Sequence, residues 1–167
     1  HVIVVKSTVV PGTTEDVVLR IVERASGKQA GPHFGIGMNP EFLREGNAIA
    51  DFLHPDRIVL GGIDERTLDT MQALYAPFEG VDQIRTTPKT AEMIKYTANS
   101  LLATMISFSN EIANLCEYHG ADIRAVREGM CADHRIGNQF LYPGLGFGGS
   151  CFPKDTRAVA QIARQVG

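Results

Sequence analysis

The sequence predicts an α/β protein in which a parallel sheet unit is followed by an all-α region built on one long helix. Residues 1–87 alternate short β-branched runs with helical patterns, which is typical of a parallel sheet covered by helices. After Pro88 no glycine or proline occurs before Gly120, and apolar residues recur at helical spacing. We therefore expect two domains, one formed by residues 1–87 and one by residues 88–167.

The chain opens with the apolar run Val2 to Val5, which predicts a parallel strand buried on both faces. A capping-box pattern at Thr13 predicts the start of a helix, and Gly27 predicts its end. Ligands of open parallel sheets bind beyond the carboxyl ends of the strands. Ser7 and Thr8 follow the first strand, so they are either ligand contacts or ordinary loop hydroxyls.

A second strand is predicted over residues 34–38, followed by an Asn-Pro turn at 39–40. If residues 41–46 form a helical turn, Glu41 and Glu45 share one face, where like charges repel. Such a pair beyond a strand end indicates either a solvated surface or a site with partners for both carboxylates.

Two further strands are predicted at residues 57–60 and 83–86. Between them, Asp64 can cap a helix over residues 65–76. The helix predicted over residues 88–119 is roughly 45 Å long at 1.5 Å per residue. It is apolar around much of its circumference, so it links domains, packs against a partner subunit or forms the centre of a monomer.

The second half of the chain offers several candidate site residues. Lys95 and Asn99 lie one turn apart on the long helix, although a lysine beside an apolar stripe usually extends to solvent. Asp122 can cap a short helix, and the irregular stretch after it contains Arg135 among possible ligand donors. Asp155 is expected to open and cap the last helix.

The ten-residue stretch GFGGSCFPKD at 146–155 places one cysteine between a glycine run and a Lys-Asp pair. Cys151 would lie just before a helix N-terminus and near Lys154, and both features favour the reactive thiolate. The alternative is a buried structural cysteine in a glycine turn. Cys116 and Cys131 lack such neighbours, so we interpret both as structural.

Gly144, Gly146 and Gly149 formally match the dinucleotide fingerprint G-x-G-x-x-G. That fingerprint requires a preceding strand, and an acidic residue about 20 positions later. Only 18 residues follow Gly149. We therefore reject this match as a dinucleotide site.

The composition excludes several classes of protein. The net charge of −3 argues against a nucleic-acid binder that neutralises phosphates. No apolar run approaches the length of a membrane span, so no membrane partner is expected. Three cysteines without paired spacing predict reduced thiols and a cytoplasmic setting, and no zinc-ligand spacing occurs.

Four stretches together resemble one family, the NAD-dependent nucleotide-sugar dehydrogenases that oxidise UDP-glucose or GDP-mannose to the uronic acid. They are KSTVVPGT at 6–13, NPEFLRE at 39–45, EMIKYTAN at 92–99 and GFGGSCFPKD at 146–155. The resemblance covers nearly the whole chain. It implies that residues 1–87 are the C-terminal part of a Rossmann-like NAD-binding domain and that the helix 88–119 forms a homodimer.

The resemblance also implies a reaction and its residues. The alcohol is oxidised twice with two NAD⁺, and a cysteine captures the aldehyde as a thiohemiacetal that becomes a thioester. The catalytic residues implied are Cys151, Lys95, Asn99, Asp155, Glu41 and Thr8. Those near the cofactor are Thr8, Glu45 and Lys154. Those implied to contact the nucleotide sugar are Phe42, Leu43, Lys95, Asn99, Arg135 and Gly148.

The chain departs from the family because it has neither the glycine fingerprint nor the last domain of its relatives. It therefore resembles the middle of the enzyme, and we expect this fragment alone to be inactive or nearly so. Residues 134–137 and 140–144 favour UDP-glucose as the substrate, while GDP-mannose stays as the alternative. A noncatalytic dimerisation or sugar-nucleotide-binding module is the hypothesis from another class.

Overall fold

The computed structural model describes residues 1–166, which divide into two compact units. The first unit is His1–Tyr96, and the second begins at Thr97. A four-stranded sheet forms the centre of the first unit. Its strands follow the order of the chain: β1 (Val2–Val5), β2 (Gly35–Met38), β3 (Arg57–Gly62) and β4 (Asp82–Thr86).

The predicted parallel pairing is confirmed for β1 with β2 and for β3 with β4. Between β2 and β3 the pairing is antiparallel, with Met38 opposite Gly61. A parallel connection needs a crossover that spans the sheet, usually through a helix. The helix between these strands, α2 (Ala48–Leu53), has only six residues and is about 9 Å long, so the chain returns beside β2 in the opposite direction.

The core of the first unit surrounds β3, which is buried on both sides. On one side, Ile58 and Leu60 pack against apolar side chains of α3 (Glu65–Leu74). On the other, Val59 packs with Met38 and with Ala91. β1 is only half-buried, so the prediction of a strand buried on both faces is wrong for β1.

The local signals for helix ends have different outcomes. Asp64 accepts a hydrogen bond from the Thr67 N–H at 2.7 Å, which confirms it as the cap of α3. The prediction of a capping box at Thr13 is wrong, since the Thr13 hydroxyl donates back to the Val10 carbonyl. A π-helical segment, Thr13–Leu19, instead continues into α1 (Arg20–Ser26), and Gly27 follows α1 with a φ of 66°.

The long helix α4 (Pro88–His119) has the predicted bounds and continues from the first unit into the second. The second unit also contains α5 (Ile123–Cys131), capped by Asp122, and α6 (Cys151–Val166). Because α6 begins at Cys151, Asp155 lies inside it, and the prediction that Asp155 opens the helix is wrong. Pro153 is tolerated because N–H groups of a first helical turn have no partner inside the helix.

Within residues 1–166, no helix combines the length and the apolar character that a bilayer crossing requires. The same residues hold no cluster of three His, Cys, Asp or Glu side chains placed to bind a metal ion.

Candidate active site

In the first unit, a polar group forms where two parallel strands end. β1 and β2 are parallel neighbours, so the segments that follow them leave the sheet at the same edge. The Thr8 hydroxyl lies 3.4 Å from Glu41 Oε1. The other oxygen of Glu41 accepts the Leu43 N–H at 2.9 Å, which fixes the orientation of the carboxylate. Thr8 therefore belongs to a polar group, and its roles in catalysis and cofactor binding stay predictions.

Lys95 of α4 belongs to the same group. Its side chain is buried, and its ammonium nitrogen lies 3.9 Å from Glu41 Oε2 and 5.0 Å from the centre of the Phe42 ring. The carboxylate and the ring offset the loss of hydration of the buried charge. The expectation that this lysine extends to solvent is therefore wrong. Nearby, burial lowers the pKa of Lys6, although the negative charge of Glu41 opposes that change.

Asn39 anchors the turn that leads to Glu41. Its side-chain amide donates to the Val59 carbonyl at 2.8 Å, and its backbone N–H donates to the Val5 carbonyl at 3.0 Å. The Tyr75 hydroxyl donates to Asn39 Oδ1, and burial raises the pKa of Tyr75. The sequence identified Asn39 only as a turn signal, because nothing in it shows that its side chain and backbone contact three separate parts of the fold.

The segment after Glu41 does not form the expected helical turn. Residues 41–44 are irregular and a turn follows, so Glu41 and Glu45 do not share a helical face. The guanidinium of Arg44 instead pairs with Asp51 at 2.6 Å, and its hydrogen bonds lower the pKa of that carboxyl. Leu43 and Glu45 are exposed, whereas Glu41 is half-buried.

In the second unit, Asn99 and Asp155 form a buried polar pair. The Asn99 amide donates to Asp155 Oδ2 at 2.6 Å, and the other carboxylate oxygen pairs with the Lys154 ammonium. Asp155 is 1% exposed. The two partners hold the carboxylate in one orientation, which suits a group that accepts or delivers a proton.

Cys151 is the first residue of α6, and its side chain is exposed. The alternative of a buried cysteine in a glycine turn is therefore wrong for Cys151. Of the two cysteines predicted to be structural, Cys116 is buried and Cys131 is half-buried. Gly146 and Gly149 have φ values of 104° and 74°, a conformation that favours glycine. Gly148 is exposed, and the space where a Cβ would lie is open.

The irregular segment before α6 carries the remaining candidate, Arg135, which is exposed and pairs with Asp133 at 2.5 Å.

Sequence reasoning missed Arg127, whose guanidinium donates to the Leu141 carbonyl at 2.6 Å and lies 3.8 Å from the Tyr142 ring centre. Residues 87–143 contain no strand, so none leads directly into the glycines at 144–149, which agrees with the rejection of the fingerprint.

Two family models match this chain. Residues 1–79 match the NAD binding domain of the UDP-glucose/GDP-mannose dehydrogenase family, and residues 89–167 match the central domain of the same family. The chain belongs to the UDP-glucose/GDP-mannose dehydrogenase family. The resemblance inferred from the four motifs is thereby confirmed.

Individual members of this dehydrogenase family are similar over the whole chain. A UDP-glucose 6-dehydrogenase of Haloferax volcanii is 49% identical over 100% of this chain, which spans 40% of that relative. A GDP-mannose 6-dehydrogenase of Pseudomonas aeruginosa is 45% identical to this chain. The match covers 99% of this chain and 38% of that relative. The structure of a UDP-glucose dehydrogenase from Pyrobaculum islandicum matches with a TM-score of 0.93 and 45% identity, covering 100% of this chain and 38% of that one. The chain thus spans about two fifths of these relatives.

Proposed function

We propose that the full-length protein is an NAD-dependent nucleotide-sugar 6-dehydrogenase that oxidises UDP-glucose to UDP-glucuronate. The observation that carries the proposal is the pair of polar side chains on consecutive turns of α4. Lys95 and Asn99 are both buried, and each meets a carboxylate, Glu41 and Asp155 respectively. Buried, partnered polar groups of this kind are expensive to maintain and are typical of catalytic sites.

The proposed reaction converts one primary alcohol, two NAD⁺ and one water into one carboxylate, two NADH and three protons. The first oxidation removes a hydride and a proton from the alcohol and leaves an aldehyde. The sulfur of Cys151 then bonds to the aldehyde carbon while the thiol proton passes to the aldehyde oxygen, which gives a thiohemiacetal. The thiohemiacetal loses a second hydride from carbon and the proton of its hydroxyl, and it becomes a thioester. Water cleaves the carbon–sulfur bond, which releases the carboxylate and restores the thiol.

Lys95 and Asn99 have donors that suit an oxyanion-stabilising role. The ammonium and the amide can donate to the substrate oxygen as negative charge develops on it. Their burial strengthens this effect, because donors held away from water need no reorganisation when the charge appears. Asp155, together with Thr8 and Glu41, is proposed to handle protons and to position the attacking water.

The residues proposed to contact the cofactor are Thr8, Glu45 and Lys154. Thr8 follows the carboxyl end of β1, where open parallel sheets bind their ligands, and its hydroxyl suits a ribose or phosphate contact. The exposed carboxylate of Glu45 and the ammonium of Lys154 can bind ribose hydroxyls and phosphate oxygens. These groups fit NAD, which accepts the hydride when it is bound.

The proposed contacts to the nucleotide sugar are Phe42, Leu43, Arg135 and Gly148, in addition to Lys95 and Asn99. The exposed Arg135 has the planar donor fork that suits phosphate. Gly148 has open space at its Cα, so a ligand can approach the backbone closely. GDP-mannose stays as the second candidate substrate, since a GDP-mannose 6-dehydrogenase is 45% identical to this chain.

The test is the amount of NADH formed by the full-length protein per nucleotide sugar, with UDP-glucose and GDP-mannose assayed in parallel. We expect two NADH per UDP-glucose. Two per GDP-mannose would keep the mechanism and reverse the choice of substrate. One NADH with either sugar would refute the role of Cys151, and none with both would favour a noncatalytic module.

We also propose that two copies associate through α4. Leu101, Phe108 and Leu115 recur every seventh residue on this helix and are 58%, 45% and 55% exposed. Apolar residues at this spacing form a continuous stripe that suits a second helix.

The proposal also includes a division into an NAD-binding domain at 1–87 and a central domain at 88–167. It further includes a cytoplasmic location, which keeps the free thiols reduced.

Light scattering of the full-length protein tests the dimer. Phe108→Glu is expected to yield monomers, because a charge buried without a partner opposes association. Asn114→Glu adds the same charge at an exposed position of α4 away from the stripe, so this control should remain dimeric. A Phe108→Glu protein with the mass of an intact dimer would refute this interface.

A further inference from the structure

Glu92 of α4 is a buried carboxylate to which the proposed reaction gives no role. It is 0% exposed. Its two oxygens accept three hydrogen bonds: from the Gly12 N–H at 2.5 Å, the Thr14 N–H at 2.8 Å and the Thr14 hydroxyl at 2.6 Å. All three donors belong to one short segment, so this carboxylate ties that segment to α4.

The tied segment is continuous with the loop that carries Thr8. This loop leaves β1 after Val5 and ends where Glu92 holds Gly12. Gly12 has a φ of 96°, a backbone conformation that favours glycine at the point where the chain meets Glu92. The two ends of the loop are therefore fixed, one by the sheet and one by Glu92.

The Thr8 hydroxyl is also linked to α4 by a second route, through Glu41 and Lys95. The Thr8 hydroxyl lies 3.4 Å from Glu41, and Glu41 lies 3.9 Å from the Lys95 ammonium. Lys95 follows Glu92 by three residues, so both project from the same face of the helix. The contacts therefore form a closed ring from Lys95 through Glu41, Thr8 and the loop to Glu92 on the same helix.

We propose that Glu92 is a positioning residue that holds the Thr8 hydroxyl in register with the Glu41–Lys95 pair. This inference rests on the proposed function. Glu92 does not touch the reacting atoms but acts through Thr8. Displacement of a catalytic group by about 1 Å can cost on the order of 100-fold in rate. Loss of the Glu92 contacts, which would let Thr8 shift, should therefore lower the rate measurably.

The first test is Glu92→Gln in the full-length protein. The amide has the same shape, but its NH₂ group faces the N–H of Gly12 or the donors of Thr14, and two donors cannot bond to each other. We expect kcat for the nucleotide sugar to fall by about 10- to 100-fold and KM for the sugar to change little. The control Glu117→Gln makes the same change at an exposed position of α4 and should leave kcat unaltered. An unaltered kcat in Glu92→Gln would overturn the inference.

A double-mutant cycle with Thr8→Val separates positioning from general stability. If Glu92 acts through Thr8, the two losses in kcat are far from additive, since Glu92→Gln has little left to disturb once the hydroxyl is absent. Additive losses would contradict the proposal. Should Glu92→Gln fail to fold, Thr14→Val removes one of the three hydrogen bonds and enters the same cycle.

Amide hydrogen exchange gives a readout that does not depend on activity. In Glu92→Gln the amides of Gly12 and Thr14 should exchange faster than in the parent protein, while those of α3 stay unchanged. Unchanged exchange at both amides would show that Glu92 does not hold the loop. If the parent protein oxidises no nucleotide sugar, the proposed function fails, and this measurement still decides whether Glu92 holds the loop.

Discussion

Replacing Cys151 by serine in the full-length protein is expected to lower uronate production by at least about 1,000-fold, or about 4 kcal/mol in the barrier. The hydroxyl of serine is a much weaker nucleophile than a cysteine sulfur, so the aldehyde is not captured. Cys151 is exposed at the first position of α6, where a substrate carbon can reach it. The measurement is uronate and NADH formed per unit time with saturating UDP-glucose.

The matched control for Cys151→Ser is Cys131→Ser on α5. Cys131 is half-buried, and the proposed mechanism gives it no role, so its variant should retain the parent turnover. Iodoacetamide offers a second comparison, because the exposed Cys151 should be alkylated well before the buried Cys116. Undiminished uronate production by Cys151→Ser would remove the basis for covalent capture.

Asp155→Asn is expected to produce the second large effect, a fall in kcat of about 100- to 10,000-fold. The change keeps the shape of the side chain but removes the charge and the proton acceptor. It also disturbs the Asn99 amide, whose donor group loses a carboxylate partner at 2.6 Å. Both consequences act on the chemical step, so kcat should fall more than the affinity for substrate.

Thermal unfolding distinguishes this catalytic loss from damage to the fold. The amide at 155 places its NH₂ group against either the Asn99 amide or the Lys154 ammonium, and an unpaired buried donor costs about 1–3 kcal/mol. Tm should therefore fall by about 2–12 °C, which leaves the protein folded at the assay temperature. The control Asp122→Asn alters the exposed cap of α5 and should affect neither kcat nor Tm, because asparagine caps helices as well as aspartate does. A normal kcat in Asp155→Asn would exclude this carboxylate from proton transfer.

The site was only partly predictable from the sequence. The motifs identified Thr8, Glu41, Lys95, Asn99, Cys151 and Asp155 as candidates. Glu92 was missed, although it lies one turn before Lys95 on a largely apolar helix and could have been noticed as an acidic residue on that face. Its three hydrogen-bond donors are about 80 residues away in the chain, and no local pattern shows that they meet.

Local sequence patterns were sufficient to predict the four strands of the sheet, the bounds of α4 and the caps at Asp64 and Asp122. These features follow from spacing and side-chain chemistry within a few residues, so local physics is sufficient to predict them. The direction of β3 relative to β2 was decided only in the tertiary structure, as was the burial of Lys95 beside Glu41. Strand direction and burial depend on partners distant in sequence, whose contacts form only when the chain is folded.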